Sequence, residues 1–281
     1  LLRTVAVGSF PGAVAVDARR GRVFVSDRQG VNVLDARSGV ILRSVPLVGG
    51  AGYPAIAEGV GHVFVNGPTV QSRPRFTPIS MLDAHSGMLL HTVHLGAESN
   101  VGAVAQRAGH VFVGTYIAGS VSMLDVRTGA VLRTVRVGDA PSAVAVDEQA
   151  GHVFVVNNGS ISSYEGSVSM LDARTGTVLR TTPINHNPLA IGVDAQTGRV
   201  FVTTLYTIDV LDARSGALVH SLNVPVIPAS APVVNPRTGH VLDLLAPSLD
   251  AQGNATGPAY LLVLDGSTGA VRQRIATGGA G

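Results

Sequence analysis

Cysteine is absent from this chain, which excludes disulfide bonds, thiolate catalysis and metal sites built on cysteine. Lysine is absent as well, so all 20 cations are arginines. No apolar stretch reaches the roughly 18 residues of a membrane-spanning helix, and we expect no membrane insertion. The formal charge of +2 is too small to indicate a nucleic-acid partner. These absences leave a chain that has to fold on hydrophobic burial alone.

Glycine and small apolar residues dominate what is present. The 281 residues include 34 glycines, and 46% of the chain is hydrophobic, but only 4% is aromatic. The phrase GHVFV, or a variant of it, recurs six times at spacings of 40 to 48 residues. A second phrase, LDxxxG, recurs with it. A sequence phrase that recurs in every repeat defines the fold, so we expect functional residues in the segments that interrupt the repeats.

Each repeat contains four short β-branched runs separated by glycine turns, as in residues 142–147, 152–156, 167–172 and 177–184. Four antiparallel strands per repeat predict one blade of a β-propeller. We therefore expect an all-β, single-domain propeller over residues 1–281, with six blades and with seven as the alternative. Residues 1–8 copy the fourth strand of a repeat, and we expect them to pair as an outer strand near the sixth blade.

The phrases VAVDARRGRVFVSD and SVSMLDVRTGAVLRTVRVGDAPSAVAVD resemble the YVTN-type propeller repeats of bacterial and archaeal surface or periplasmic proteins. The resemblance covers nearly the whole chain. It implies a propeller that is commonly seven-bladed, placed outside the cytoplasm and used for binding. Its motif carries no catalytic residue.

Because the strands alternate in direction, the loops divide between two ends of each sheet. The turn end carries the loops between the first and second and between the third and fourth strands, and its phrases are regular. Aspartates such as Asp172 are expected to cap these turns through backbone N–H groups. Each of the histidines that open a second strand belongs to a different repeat, so they cannot converge on one metal ion; these are His62, His110, His152 and His240.

The loop end carries the loops between the second and third strands and the connections between repeats. It collects the irregular segments and, by this alignment, all five tyrosines. Tyrosine joins an apolar ring to a polar tip and is favoured at binding surfaces. The sequence therefore predicts a ligand-binding site formed by Tyr53, Tyr116, Asn157, Asn158, Tyr164, Glu165, His186, Asn187 and Tyr206.

These patterns favour a non-catalytic binding or scaffold module that takes a protein partner or a small ligand, as a monomeric domain without cofactor or metal. One alternative is a propeller enzyme similar to streptogramin lyases or lactonases, with His186 and Glu165 at the channel mouth. Another is the sensor domain of a larger membrane protein. A polar cluster that converges on one bound atom would distinguish the enzyme from the binding module.

Overall fold

A computed structural model describes residues 4–47, 50–52, 54–159, 165–224, 232–235, 238–245 and 258–277. The chain divides into two compact units, Leu1–Arg136 and Val137–Gly281. That residues 1–281 form a single domain stays a prediction. Nowhere in the described ranges is there a helix with the length and apolarity needed to cross a bilayer.

The first unit contains three four-stranded antiparallel sheets, each with its strands in chain order. The strands are β1 (Val14–Asp17), β2 (Arg22–Ser26), β3 (Gly30–Asp35) and β4 (Ile41–Pro46) in the first sheet; β5 (Pro54–Ala57), β6 (His62–Asn66), β7 (Phe76–Asp83) and β8 (Leu89–Gly96) in the second; and β9 (Ser99–Ala105), β10 (His110–Thr115), β11 (Ser120–Asp125) and β12 (Val131–Arg136) in the third.

The second unit repeats this organisation in three further sheets. Its strands are β13 (Pro141–Asp147), β14 (His152–Asn157), β15 (Gly166–Asp172) and β16 (Val178–Ile184) in the fourth sheet; β17 (Ala190–Asp194), β18 (Arg199–Thr203), β19 (Thr207–Asp212) and β20 (Leu218–Asn223) in the fifth; and β21 (Val233–Asn235), β22 (His240–Leu245), β23 (Tyr260–Asp265) and β24 (Val271–Ala276) in the sixth.

The second strand of each sheet supplies core to both of its faces. Val63 and Val65 of β6 pack against Phe24 of β2 on one face of the second sheet. Phe64, which lies between these two valines, points to the opposite face and packs against Val111 and Val113 of β10. This follows from the period of two along a strand, which sends neighbouring side chains to opposite faces. A four-stranded sheet this small cannot cover its own faces, so each sheet within a unit is covered by the next.

The hairpin between the third and fourth strands is the same in all six sheets. In the fourth sheet the register slips by one residue between Met170 and Leu171, and Gly176 adopts a φ of 68°. Only glycine adopts this left-handed conformation without strain, and the extra residue tightens the local twist. The register slips recur at the matching place in the other five sheets.

Six four-stranded sheets in the described part of the chain fit the count of six repeats. The prediction for residues 1–8 is wrong where it can be compared, because residues 4–8 form no strand. The carbonyl of Val7 instead accepts a hydrogen bond from Asn32 Nδ2 at 2.9 Å, which ties this segment to the first sheet. Residues 1–3 lie outside the described residues.

Candidate functional site

The aspartate that ends each third strand caps its own turn through Oδ1. Asp172 Oδ1 accepts hydrogen bonds from the Arg174 amide at 3.0 Å, the Thr175 amide at 2.7 Å and the Thr175 hydroxyl at 2.8 Å. Partial burial raises the pKa of Asp172, but these hydrogen bonds outweigh it, so the net pKa lies below the ordinary value. The same residue of every other third strand also has a lowered pKa; these residues are Asp35, Asp83, Asp125, Asp212 and Asp265.

Two of the histidines that open second strands join neighbouring sheets within a unit. His62 Nδ1 lies 2.7 Å from the carbonyl oxygen of Val126, and His152 Nδ1 lies 2.8 Å from that of Ala213. Across the described ranges, no three His, Cys, Asp or Glu side chains are placed to hold a metal ion. His62 and His152 therefore have a structural role.

Two grooves open at the turn end, one in each unit. A groove of about 410 Å³ lies between the fourth and fifth sheets and is lined in part by Asp212 and Arg214. A groove of about 340 Å³ lies between the second and third sheets, lined in part by Asp125 and Arg127 at the matching positions. A cleft that recurs at equivalent positions follows from the repeat, so it does not single out a functional site.

At the loop end, one backbone feature recurs beneath different side chains. Phe10, Glu98, Ala140 and Asn187 each stand just before a first strand with φ between 53° and 58°. The carbonyl of Ala140 accepts a hydrogen bond from the Asn158 amide at 3.1 Å, so this connection is fastened to the loop between the second and third strands. The backbone is thus fixed while the side chains above it vary.

The structure brings two predicted site residues into contact. The rings of His186 and Tyr206 meet edge to face with centroids 5.5 Å apart. The His186 carbonyl accepts the Leu205 amide at 2.9 Å, which holds the two loops together. Tyr206 is 57% exposed, and His186 is exposed too. The pair therefore presents two aromatic surfaces, each with a polar group, to solvent.

The other predicted residues of the second unit differ in exposure. Asn157 is only 1% exposed, and its Nδ2 donates to the hydroxyls of Ser167 and Ser169 at 3.0 Å each. Asn158 is half-buried and accepts a hydrogen bond from Ser142 at 2.5 Å. Both amides therefore support the loop more than they face solvent. Glu165 is exposed directly before β15, and Asn187 is half-buried beside His186.

Tyr116 belongs to the first unit, follows β10 and is 37% exposed. Its amide is bound to the carbonyl of Glu98 at 3.1 Å, the same fastening that holds Asn158. Tyr53 and Tyr164 lie outside the described residues. A single site shared by all nine candidates stays a prediction.

Sequence reasoning missed the polar residues that break the repeat inside the sheets. Asp243 stands in β22 where other second strands have valine, and it is buried; among the residues that the structure describes, neither of its oxygens accepts a hydrogen bond of good geometry. Burial raises the pKa of Asp243 to about 7, and only the adjacent Leu244 amide acts in the opposite direction. Asp209 likewise replaces a serine of β7, β11 and β15. Alignment of the six repeats position by position would have found both.

Comparisons with known proteins agree with this architecture. No curated protein matches the chain. Among solved structures, BamB from Moraxella catarrhalis is 19% identical, with a TM-score of 0.66 over 96% of this chain and 75% of that one. The hydrazine synthase of Kuenenia stuttgartiensis is 12% identical, with a TM-score of 0.70 over 93% and 79%. At these identities the likeness shows the β-propeller fold alone.

A family model described as outer membrane protein assembly factor BamB matches residues 4–186, more than half of the chain. This is a propeller repeat class related to the YVTN-type repeats that the sequence resembles. By its repeats, its sheets and this match, the chain belongs to the family of outer membrane protein assembly factor BamB.

Proposed function

We propose that this chain is a non-catalytic binding module that works outside the cytoplasm and holds a protein partner at the loop ends of its sheets. The family description names a factor in outer membrane protein assembly, and we assign the partner to that process. We also propose that the domain is a six-bladed propeller of YVTN-like repeats. The alternative occupant of the same loop ends is a small ligand in place of a protein partner.

The observation that carries this proposal is the pairing of His186 with Tyr206. Their backbone is fixed by the repeated fastening between loops, while their rings remain exposed. Aromatic side chains that are held in place before binding lose little conformational entropy when a partner arrives. At the turn end, by contrast, the aspartate of each of the six repeated turns accepts a backbone amide of its own turn.

Site-specific photocrosslinking in the native host tests the proposal. Benzoylphenylalanine would replace Tyr206 at the loop end of the fifth sheet, and in a matched variant Arg214 at its turn end. We expect one protein adduct from position 206 and none from position 214, identified by mass spectrometry. Adducts from position 214 alone would contradict the proposal.

A further inference from the structure

A groove of about 290 Å³ lies at the loop end of the first and second sheets. It is lined by Phe10, Asp27, Arg28 and Pro68 and by residues 51–52 and 66–67. None of these residues belongs to the set that the tyrosine pattern predicted. The groove therefore offers a part of the loop end that the proposed function has not used.

Arg28 is an exposed cation that has no ion-pair partner among the described residues. Its guanidinium carbon lies 3.8 Å from the centroid of the Phe10 ring. Within the described part of the chain, no carboxylate pairs with Arg28 and its guanidinium donates no hydrogen bond. A guanidinium carries five N–H donors in a planar arrangement that suits a carboxylate. The stacking holds this arrangement at the edge of the groove.

The neighbouring acid cannot serve as the missing anion, because its oxygens are already bound. Asp27 Oδ1 accepts the amides of Gln29 at 2.7 Å and Gly30 at 2.8 Å. Its Oδ2 accepts Asn32 Nδ2 at 2.9 Å, and the residue is 4% exposed. Asp27 thus shapes the loop that presents Arg28.

Two backbone amides at the groove are occupied within the chain. The Gly52 amide donates to the Asn66 carbonyl at 2.7 Å, and the Gly67 amide donates to the Pro78 carbonyl at 2.8 Å. A Cβ on Gly52 would lie 2.6 Å from Asn66 Oδ1, and a Cβ on Gly67 would lie 2.8 Å from the Pro78 ring, so both glycines are packed closely against their own chain. An incoming segment therefore has to be recognised by the side chains at the groove, of which Arg28 is the cation, and not by these amides.

Phe10 supplies the apolar half of the site. Its ring is 68% exposed although its backbone holds a φ of 53°, a conformation that bulky residues rarely adopt. An exposed aromatic ring next to an unpaired arginine is the composition of interface hot spots.

We propose that this groove binds an acidic segment of a protein partner, with one carboxylate on Arg28 and a neighbouring apolar side chain against Phe10 and Pro68. The proposal rests on the proposed function, which it sharpens by naming the chemistry of the partner. Charge complementarity favours an acidic segment, because the donors of the Arg28 guanidinium have no partner among the described residues, whereas the Asp27 carboxylate of the same groove is hydrogen-bonded within its own loop.

The test uses two acetylated hexapeptides with an uncharged fluorophore, one alternating leucine with glutamate and one alternating leucine with glutamine. Fluorescence anisotropy would give their affinities for the full chain, for Arg28→Gln and for Phe10→Ala. Arg37→Gln is the matched control, because it removes the same charge from an exposed turn of the first sheet. Thermal melting would confirm that each variant is folded.

We expect the glutamate peptide to bind at least about tenfold more tightly than the glutamine peptide. Arg28→Gln should abolish that preference, Phe10→Ala should weaken both peptides about threefold, and Arg37→Gln should change neither. Equal affinity for both peptides, or equal losses in the Arg28 and Arg37 variants, would overturn the proposal. Inorganic phosphate that bound as tightly as the peptide would overturn it in favour of a simple anion site.

Crosslinking from position 206 separates this inference from the proposed function. If the peptides fail while the adduct at position 206 persists, the groove assignment is wrong and the binding module stands. If the crosslinker at position 206 also forms no adduct, both are wrong.

Discussion

The two ends of each sheet belong to the same repeat but differ in regularity: the turns at one end are uniform, and the loops at the other vary. At the turn end, one aspartate and one glycine close each hairpin between third and fourth strands, and the aspartate accepts a backbone amide of its own turn. At the loop end, a recurring backbone conformation carries a different side chain in each of four sheets, such as Phe10 and Ala140. The repeat thus assigns stability to the turn end of each sheet and leaves the loop end for recognition. One end can be uniform because it only closes hairpins, and the other can vary because its backbone is already fixed.

The largest change in stability is expected from an acid that lies at neither end of its sheet. Asp243→Val should raise the unfolding free energy by about 3 kcal/mol at pH 8, since it removes a buried and unpaired carboxylate and restores the valine of the repeat. Because burial raises the pKa of Asp243 to about 7, the stability that comes with its protonated form is fully present below pH 3.8. That stability is lost as the pH rises through 7. Urea unfolding at pH 8 and pH 5 should therefore give a smaller gain at pH 5.

Asp243→Asn is the control, because it removes the charge and keeps the buried polar group. It should abolish the pH dependence with a smaller gain in stability. A valine variant no more stable than wild type at pH 8 would show that this carboxylate finds a partner in solution.

A second prediction concerns a paired acid at the turn end. Asp172→Ala should lower the unfolding free energy by about 1–2 kcal/mol, because the amides of Arg174 and Thr175 lose their acceptor. Asp172→Asn keeps an acceptor oxygen and should lose less. Urea unfolding at pH 7 measures both, and a neutral alanine variant would contradict the capping role.

The third prediction is the acid limb of stability. The turn aspartates have lowered pKa values, so their contribution is complete above about 3.8 and is lost as the pH falls through the folded-state values. Asp243 acts in the opposite direction between about 4 and 7. The melting temperature should therefore be highest near pH 4–5 and fall on both sides. A melting temperature that rose steadily from pH 4 to pH 8 would contradict this balance.

The smallest change in stability is expected at the loop end. Replacing both His186 and Tyr206 by alanine should cost under about 0.5 kcal/mol for each exposed side chain. The adduct formed with the partner, followed from a crosslinker in place of the exposed Glu165 of the same unit, should nevertheless weaken strongly. Loss of stability equal to that of Asp172→Ala, with the adduct intact, would reverse the assignment of the two ends.

The fold could be predicted further than the site, for a physical reason. Strands and turns recur, so Phe24 and Asp172 each have five equivalents that reveal their roles. Exposed aromatics such as Tyr206 could be identified because they interrupt the repeat. Phe10 and Arg28 could not, since their stacking depends on how a connection folds back on the loop after β2. Asn157 was misleading because its position in the loop phrase does not reveal that its side chain turns inward.

Hydrogen exchange, measured with and without the partner that crosslinking identifies, tests whether recognition is confined to the loop ends. It surveys both ends of the sheets in one experiment. The account predicts slower exchange on binding at loop-end segments such as 185–189, 204–207 and 27–30. Exchange at the turn-end segments 173–176 and 213–216 should stay the same. Protection of the turn segments with unchanged exchange at the loop segments would contradict the division of stability and recognition between the two ends.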